Sequence, residues 1–252
     1  MADFPTQDPH GVLAEMQQNG SYIKGRHIVY KAGLHGSDYL DKDAHLRQPG
    51  VARRVAELLA VGIKKWSIII APETRSEVKL VEMVWEIAGC EVFPTVKGKD
   101  AAKTHTLDPN HIPLLQWDHP RILIDDVFNN GETLKQIMAA LAAHGLSLTE
   151  FRVMANRNPA LAETLSIPFS ALASVEIEQW AEADVPEKLK KRAISTTLWN
   201  GRDWIAKTWE TDVTIPGDRL MARKAKEDKG FRFDDGKYVV QMEGDEFFLT
   251  AN

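Results

Sequence analysis

The chain has 252 residues, a formal net charge of −5 and 44% hydrophobic residues. That length and apolar share suffice for one sizeable core with an appended piece, and the acidic balance excludes a chain that binds nucleic acid through bulk positive charge. A single cysteine, Cys90, excludes a disulfide framework and a cysteine-based zinc site within one chain.

The first residues, Met1-Ala-Asp-Phe-Pro5, lack a positive region followed by an apolar stretch, so no signal peptide is expected. No run approaches the roughly 18 apolar residues of a membrane span, and the cytoplasm is the default location. Gly11 to Asn19 read as an amphipathic helix and Ile28 to Tyr30 as a short strand, with a Gly-rich turn from Ala32 to Asp38. Val51 to Val61 suit a helix. Trp66 to Ala71 form a buried strand that ends in a loop at Pro72. Val78 to Ala88 are the next helix, and Glu91 to Val96 the next strand, with Cys90 beside Gly89 as a small core residue before it. Lys97 to Pro113 are polar without a clear period, and a loop of that length is often functional.

The most informative segment follows: Arg121-Ile-Leu-Ile-Asp-Asp-Val-Phe-Asn-Asn-Gly-Glu-Thr-Leu134. It reads as a buried strand, a sharp acidic turn and a helix start. The apolar run Ile122 to Ile124 ends in Asp125 and Asp126, a polar loop with Gly131 follows, and Thr133 opens an apolar-periodic helix from Leu134 to Leu141. Phe151 to Ala155 are another strand and Ile167 to Leu172 one more. Strands alternating with helices imply a doubly wound, mostly parallel sheet. Its ligands bind at the carboxyl ends of strands, where the loops after Ala71, Val96, Ile124 and Ala155 would share one crevice. In the tail, Pro186 to Arg192 are basic, and Trp180, Trp199, Trp204 and Trp209 are dense in tryptophan. Interspersed acidic residues favour a helical tail packed on the core over nucleic-acid binding. Beyond Gly230, strand-like segments around Asp-Gly and Glu-Gly turns read as a small β-hairpin or meander.

The chemistry of the central segment can be argued from its residues. N–H groups at a helix start form an anion site best suited to phosphate. The carboxylates upstream repel phosphate but accept hydrogen bonds from a sugar cis-diol. An acid pair before a phosphate cradle is the outline of a ribose-phosphate site. A core strand with a capped helix and a polar loop fits the same residues. A Walker loop would need a Gly-Lys-Ser/Thr ending, and a dinucleotide fingerprint three spaced glycines; neither is present. The segment resembles the phosphoribosyl diphosphate (PRPP) motif of type I phosphoribosyltransferases, an apolar strand and two acids ahead of a Thr-Gly-x-Thr loop. Asp125, Asp126, Gly131 and Thr133 match it, whereas Asn129 and Asn130 depart from it.

Other segments resemble the orotate branch of that family. Ile28-Val-Tyr-Lys-Ala-Gly-Leu-His-Gly-Ser-Asp-Tyr39 is similar to its hood over the base, with Lys31, Gly33 and Tyr39 matching and Ala32 in place of a serine. By chemistry alone, Lys31 can neutralise a phosphate or carboxylate and Tyr39 can stack on a flat base; a surface turn with a snorkelling lysine is the plain alternative. Ala71-Pro-Glu-Thr-Arg-Ser-Glu77 resembles the pyrophosphate loop through Pro72 and Arg75, although Ala71 and Ser76 replace glycines and Glu73 and Glu77 add negative charge. Lys97-Gly-Lys-Asp-Ala-Ala-Lys-Thr-His105 is similar to the mobile catalytic loop, with Lys103 and His105 in place and Lys99 displaced by one residue. Met154-Ala-Asn-Arg157 ends its strand on an arginine that matches the residue meeting the orotate ring.

The resemblance spans roughly Gly11 to Trp180. It implies a doubly wound sheet with an N-terminal hood over residues 1–180; beyond it, the tail's own pattern reads as a C-terminal extension, helical then hairpin, over 181–252. It implies transfer of ribose 5-phosphate from PRPP to a nucleobase, orotate by preference, with release of pyrophosphate. Asp125 and Asp126 would hold the ribose hydroxyls and meet a metal indirectly. Asn129, Asn130, Gly131, Glu132 and Thr133 would bind the 5-phosphate. Arg75, Lys99, Lys103 and His105 would act on pyrophosphate with Mg2+, the last three as the catalytic loop. Lys31, Tyr39 and Arg157 would address the base. A homodimer is implied, with no nucleic-acid or membrane partner. A different base, or a PRPP-sensing protein without turnover, is the alternative.

Overall fold

The computed structural model describes residues 6–30, 33–73, 75–98 and 104–190, without side chains over 75–79, together with backbone strands at 213–214, 221–222, 232–234, 237–242 and 245–251. The chain forms two compact units, Met1–Ser21 with Asp41–Glu176, and Tyr22–Leu40 with Ile177–Asn252.

In chain order the first unit contains α1 (Val12–Gln18), α2 (Lys42–Leu46), α3 (Val51–Ala60), β1 (Ile68–Ala71), α4 (Arg75–Ala88), β2 (Glu91–Pro94), β3 (Val96–Lys97), β4 (His105–Thr106), α5 (Ile112–Leu115), β5 (Arg121–Phe128), α6 (Glu132–Ala142), β6 (Glu150–Asn156), α7 (Pro159–Ala162) and β7 (Phe169–Ser174). Five of these strands form one sheet, ordered β7-β6-β5-β1-β2. Every neighbouring pair in it is parallel. The sheet grows outward in one direction from β1 and in the other from β5, so the order reverses between them. In an open α/β sheet that reversal opens a crevice at the carboxyl ends of the two strands.

Both faces of the sheet are covered, which is why its strands read as continuous apolar runs. On one face Ile68, Ile70, Leu123, Phe151 and Val153 pack with Leu134, Ile137 and Leu141 of α6 and with Leu115. The rings of Phe128, Phe151 and Phe169 lock this side, with centroids 5.3–5.7 Å apart. Strand alternation sends Ile69, Ile122, Ile124 and Met154 to the other face, where they are also buried. There α3 contributes Val51, Val55, Ala56, Leu59 and Ala60 from one stripe and packs on α4. Each fully buried Val, Leu, Ile, Phe or Met side chain among them contributes about 1.5–3 kcal/mol.

The mostly parallel, doubly wound sheet is as the sequence implies, with local corrections. β5 runs through both acids to Phe128, so Asp125 and Asp126 lie inside a strand and not in a turn; the apolar Val127 and Phe128 keep the strand going. Helix α6 starts at Glu132, capped by Gly131, and not at Thr133. α4 starts at Arg75, ahead of Val78. The expected strand Glu91 to Val96 breaks at Thr95: Glu91–Pro94 join the sheet, while Val96–Lys97 pair antiparallel with His105–Thr106. Of the polar stretch Lys97 to Pro113, the described residues include this strand pair and the start of α5. The last strand is Phe169–Ser174, two residues later than its pattern suggests. Cys90 is buried as expected, and burial pushes its thiol pKa up.

In the second unit, Tyr22–Ile23 pair antiparallel with Tyr39–Leu40, and Ile28–Val29 with His35–Gly36, which pair in turn with Gln179–Trp180. Gly36 is required by close approach: a Cβ there would meet the Glu178 carbonyl oxygen at 2.9 Å. The expected meander is present as Arg232–Asp234, Lys237–Met242 and Asp245–Ala251, all antiparallel. Val213–Thr214 and Met221–Ala222 extend it to five strands. The helical tail is described as a 3-10 turn at Glu182–Asp184 and a helix at Glu187–Lys190; Trp199, Trp204 and Trp209 lie outside the described residues, as do the Asp-Gly and Glu-Gly turns of the meander. Among the described residues no helix is long and apolar enough to cross a membrane.

Candidate functional site

The acid pair sits where β5 reaches the carboxyl edge of the sheet, beside the point where strand order reverses. Asp125 and Asp126 are 7% and 2% exposed. Burying two adjacent carboxylates is costly unless each is held. Asp125 Oδ1 accepts from the Asp126 N–H at 2.8 Å, and Asp126 forms an ion pair with Lys42 of α2. Lys42 carries no motif in the sequence; its partner is far along the chain, and only folding reveals the pair.

The loop after β5 turns into α6 through Gly131, whose φ of 72° is left-handed. An L side chain is costly there. Asn130 Oδ1 accepts from the Glu132 N–H at 3.2 Å, fixing the turn. Gly131 caps the helix without a side-chain hydrogen bond. The first-turn N–H groups of a helix have no intrahelical acceptors; in α6 that of Glu132 is met by Asn130, beside Gly131. Glu132 is exposed and Thr133 half-buried.

Neighbouring loops are stitched to this edge. The Arg157 N–H donates to the Phe128 carbonyl at 2.8 Å, bringing the base-site candidate to the end of β5. Asn156 and Asn158 shape its turn: Asn156 Oδ1 accepts from the Asn158 N–H at 2.9 Å, and Asn158 caps α7. On the other side of the crevice, the Thr95 N–H donates to the Ala71 carbonyl at 2.8 Å. Thr95 Oγ1 accepts from the Glu73 N–H at 3.3 Å and lies 2.8 Å from His105 Nδ1. Glu73 Oε2 accepts from the Lys97 N–H at 2.7 Å. Gln136 Oε1 accepts from the His105 N–H at 3.1 Å, and its amide donates to Glu132 at 3.0 Å, joining the hairpin to the first turn of α6. His105 is thus buried at the base of the β3–β4 hairpin. Burial holds its pKa below the ordinary histidine value; the charge of Lys97 adds to this and that of Glu73 opposes it.

Asp125, Asp126, Asn129, Asn130, Gly131, Glu132 and Thr133 therefore come together on one strand–loop–helix unit, with Arg157 beside them. His105 belongs to a neighbouring network with Thr95, Glu73 and Gln136, which single-residue inspection of the sequence misses. Arg75 opens α4, and its side chain lies outside the described residues, as do Lys31, Lys99 and Lys103. Tyr39 belongs to the second unit, its ring 6.5 Å from that of Tyr30.

No family model matches the chain. Over 180 residues it is 24% identical to an orotate phosphoribosyltransferase of Thermus thermophilus, covering 69% of this chain and 93% of the relative. The crystal structure of orotate phosphoribosyltransferase from Aeropyrum pernix superposes with a TM-score of 0.50 at 15% identity, covering 66% of this chain and 93% of that one. The chain has the type I phosphoribosyltransferase fold. Its resemblance within that group is most like the orotate branch. Adenine phosphoribosyltransferase from Leishmania tarentolae matches equally in backbone, with a TM-score of 0.50 at 14% identity, covering 73% of this chain and 93% of that one. The phosphoribosyltransferase fold places the acid pair at the crevice by its strand order alone, and the fold does not choose the base.

Proposed function

We propose that this chain is a phosphoribosyltransferase that moves ribose 5-phosphate from PRPP to a ring nitrogen of a nucleobase, orotate by preference, and releases pyrophosphate. The observation that carries this reading is the buried pair Asp125–Asp126 at the carboxyl end of β5, followed by the left-handed Gly131 and the start of α6. Acids suited to hydroxyls and N–H groups suited to phosphate stand in the order in which ribose 5-phosphate presents them.

In this reading Asp125 and Asp126 hold the ribose hydroxyls, and residues 129–133 hold the 5-phosphate. The bond from the anomeric carbon to the pyrophosphate oxygen breaks, and a bond to the base nitrogen forms as that nitrogen gives up its proton. Negative charge grows on the leaving oxygens, so preorganised cations stabilise the transition state. Arg75, Lys99 and Lys103 supply that charge. His105, held beside Thr95 at the β3–β4 strand pair, acts with them. Arg157 addresses the base.

Among the described residues no group of three or more His, Cys, Asp or Glu stands ready to hold a metal. Magnesium would enter as a cation held by PRPP's own oxygens, in keeping with its preference for one or two carboxylates plus phosphate. It would neutralise the leaving group, with the acid pair meeting it only indirectly. We also propose a homodimer in the cytoplasm. A panel of bases tests the reading: PRPP, Mg2+ and the protein are mixed with orotate, adenine or another base, and the nucleotide product is separated. Orotidine monophosphate from orotate alone supports the orotate preference; product from another base transfers the reading to that base.

A further inference from the structure

We infer that Lys42 is a positioning residue for the acid pair, holding Asp126 ionised and fixed so that the pair can accept ribose hydroxyls. The inference rests on the ribose-phosphate reading above. Lys42 is the first residue of α2, just behind the capping Asp41, whose Oδ1 accepts from the Ala44 N–H at 2.9 Å. A cation in the first turn opposes the helix dipole, so local helix chemistry does not favour a lysine there. Its ion pair with Asp126 supplies the reason for that placement. The two ends of the pair differ in environment: the Lys42 side chain is 30% exposed and that of Asp126 3%. The carboxylate cannot turn to water for compensation, whereas the ammonium reaches the surface.

The lysine is also anchored. His45, on the next turn of α2, is fully buried, and its Nδ1 lies 3.1 Å from the Asn19 amide. α2 is thereby fixed to the segment after α1, and Lys42 meets Asp126 from a set position. A carboxylate offers about four acceptor positions on its two oxygens. The ammonium contacts Oδ2, so a hydroxyl and the lysine can be held by the same group. Without the ammonium, a carboxylate buried this deeply loses the charge that faces its Oδ2, which favours taking a proton or turning toward another donor. Either change spoils it as an acceptor for a hydroxyl while leaving the phosphate cradle of residues 129–133 in place.

That separation supplies the test. Ribose 5-phosphate and 2-deoxyribose 5-phosphate share the phosphate and differ by one hydroxyl. Their affinities for the full chain are measured calorimetrically in the native protein, Lys42→Met and Lys42→Arg, with thermal midpoints recorded alongside. The native protein is expected to prefer ribose 5-phosphate. Lys42→Met should weaken ribose 5-phosphate about tenfold or more, move the deoxy sugar little and bring the affinity ratio near one, and Lys42→Arg should restore it. A role confined to stability would lower the midpoint and leave the ratio unchanged, which overturns the inference but not the ribose-phosphate reading. If the native protein binds neither sugar phosphate, both are overturned. Should Lys42→Met not fold, Lys42→Gln, polar and of similar reach, carries the same comparison.

Discussion

Replacing Gly131 by alanine isolates the backbone requirement of the phosphate loop. Gly131 has φ 72°, and a Cβ there would meet Leu161 Cδ2 and Phe128 Cε2, each at 3.5 Å. Those are ordinary van der Waals distances, so the added methyl displaces nothing. The cost is that of a left-handed L residue, about 1–2 kcal/mol. Gly145, after α6, has φ 71° with nothing within 4 Å of its Cβ position, and serves as a control with the same backbone cost outside the site. Urea denaturation of Gly131→Ala and Gly145→Ala should give equal losses, about 1–2 kcal/mol each. PRPP affinity, measured by calorimetry, should fall only in Gly131→Ala, because its loop relaxes by moving the N–H groups that meet phosphate. A loss above about 4 kcal/mol at Gly131 would mean that packing and not dihedral strain decides. Equal PRPP affinity in both variants would refute the assignment of this loop to phosphate.

Further outcomes follow from the same geometry. Asp125→Asn and Asp126→Asn should each weaken PRPP binding by about 1.5–3 kcal/mol, the worth of a hydrogen bond to a charged acceptor, as read by titration calorimetry; unchanged affinity in both contradicts the diol assignment. Lys103→Ala should abolish turnover while PRPP still binds, and unchanged turnover removes Lys103 from the chemistry. For His105, burial lowers the folded pKa below the unfolded value of about 6.5. Its contribution to stability is thus complete above that value and is lost as the pH falls through the folded pKa, because the unfolded chain binds more protons in between. His105→Asn should flatten the fall in stability below about pH 6.5 without removing it, since His45 is shifted down by burial in the same sense. An unchanged pH profile in urea melts refutes the role given to His105.

The parts of the fold legible in the sequence are those whose residues answer to their own neighbours. Ile122 to Ile124 and Phe151 to Ala155 announce buried parallel strands because both sheet faces are covered, as do Ile68 to Ala71, although Trp66 ahead of them is exposed and outside the strand, and α3 shows its stripe from Val51 to Ala60. The acid pair and Gly131 were visible for the same reason, being contiguous along one strand–loop–helix unit. Boundaries were less legible where polarity misled. Asp125 and Asp126 suggest a turn, yet β5 continues through them, with Lys42 paired to Asp126 and the Asp126 N–H donating to Asp125. The hairpin of Val96–Lys97 with His105–Thr106 is too short to show a period, and its base is held by Thr95, Glu73 and Gln136, whose partners are distant in the chain. Lys42 carries no local signal, because its significance rests on a partner brought to it only by the fold.

The central claim is tested most directly by pyrophosphate release from PRPP and Mg2+ in the presence of orotate. The account predicts release that depends on both PRPP and orotate and that falls sharply in Asp125→Asn. No release with orotate or any other base, from protein that still binds PRPP, would contradict catalysis and leave a PRPP-sensing protein built on the same fold.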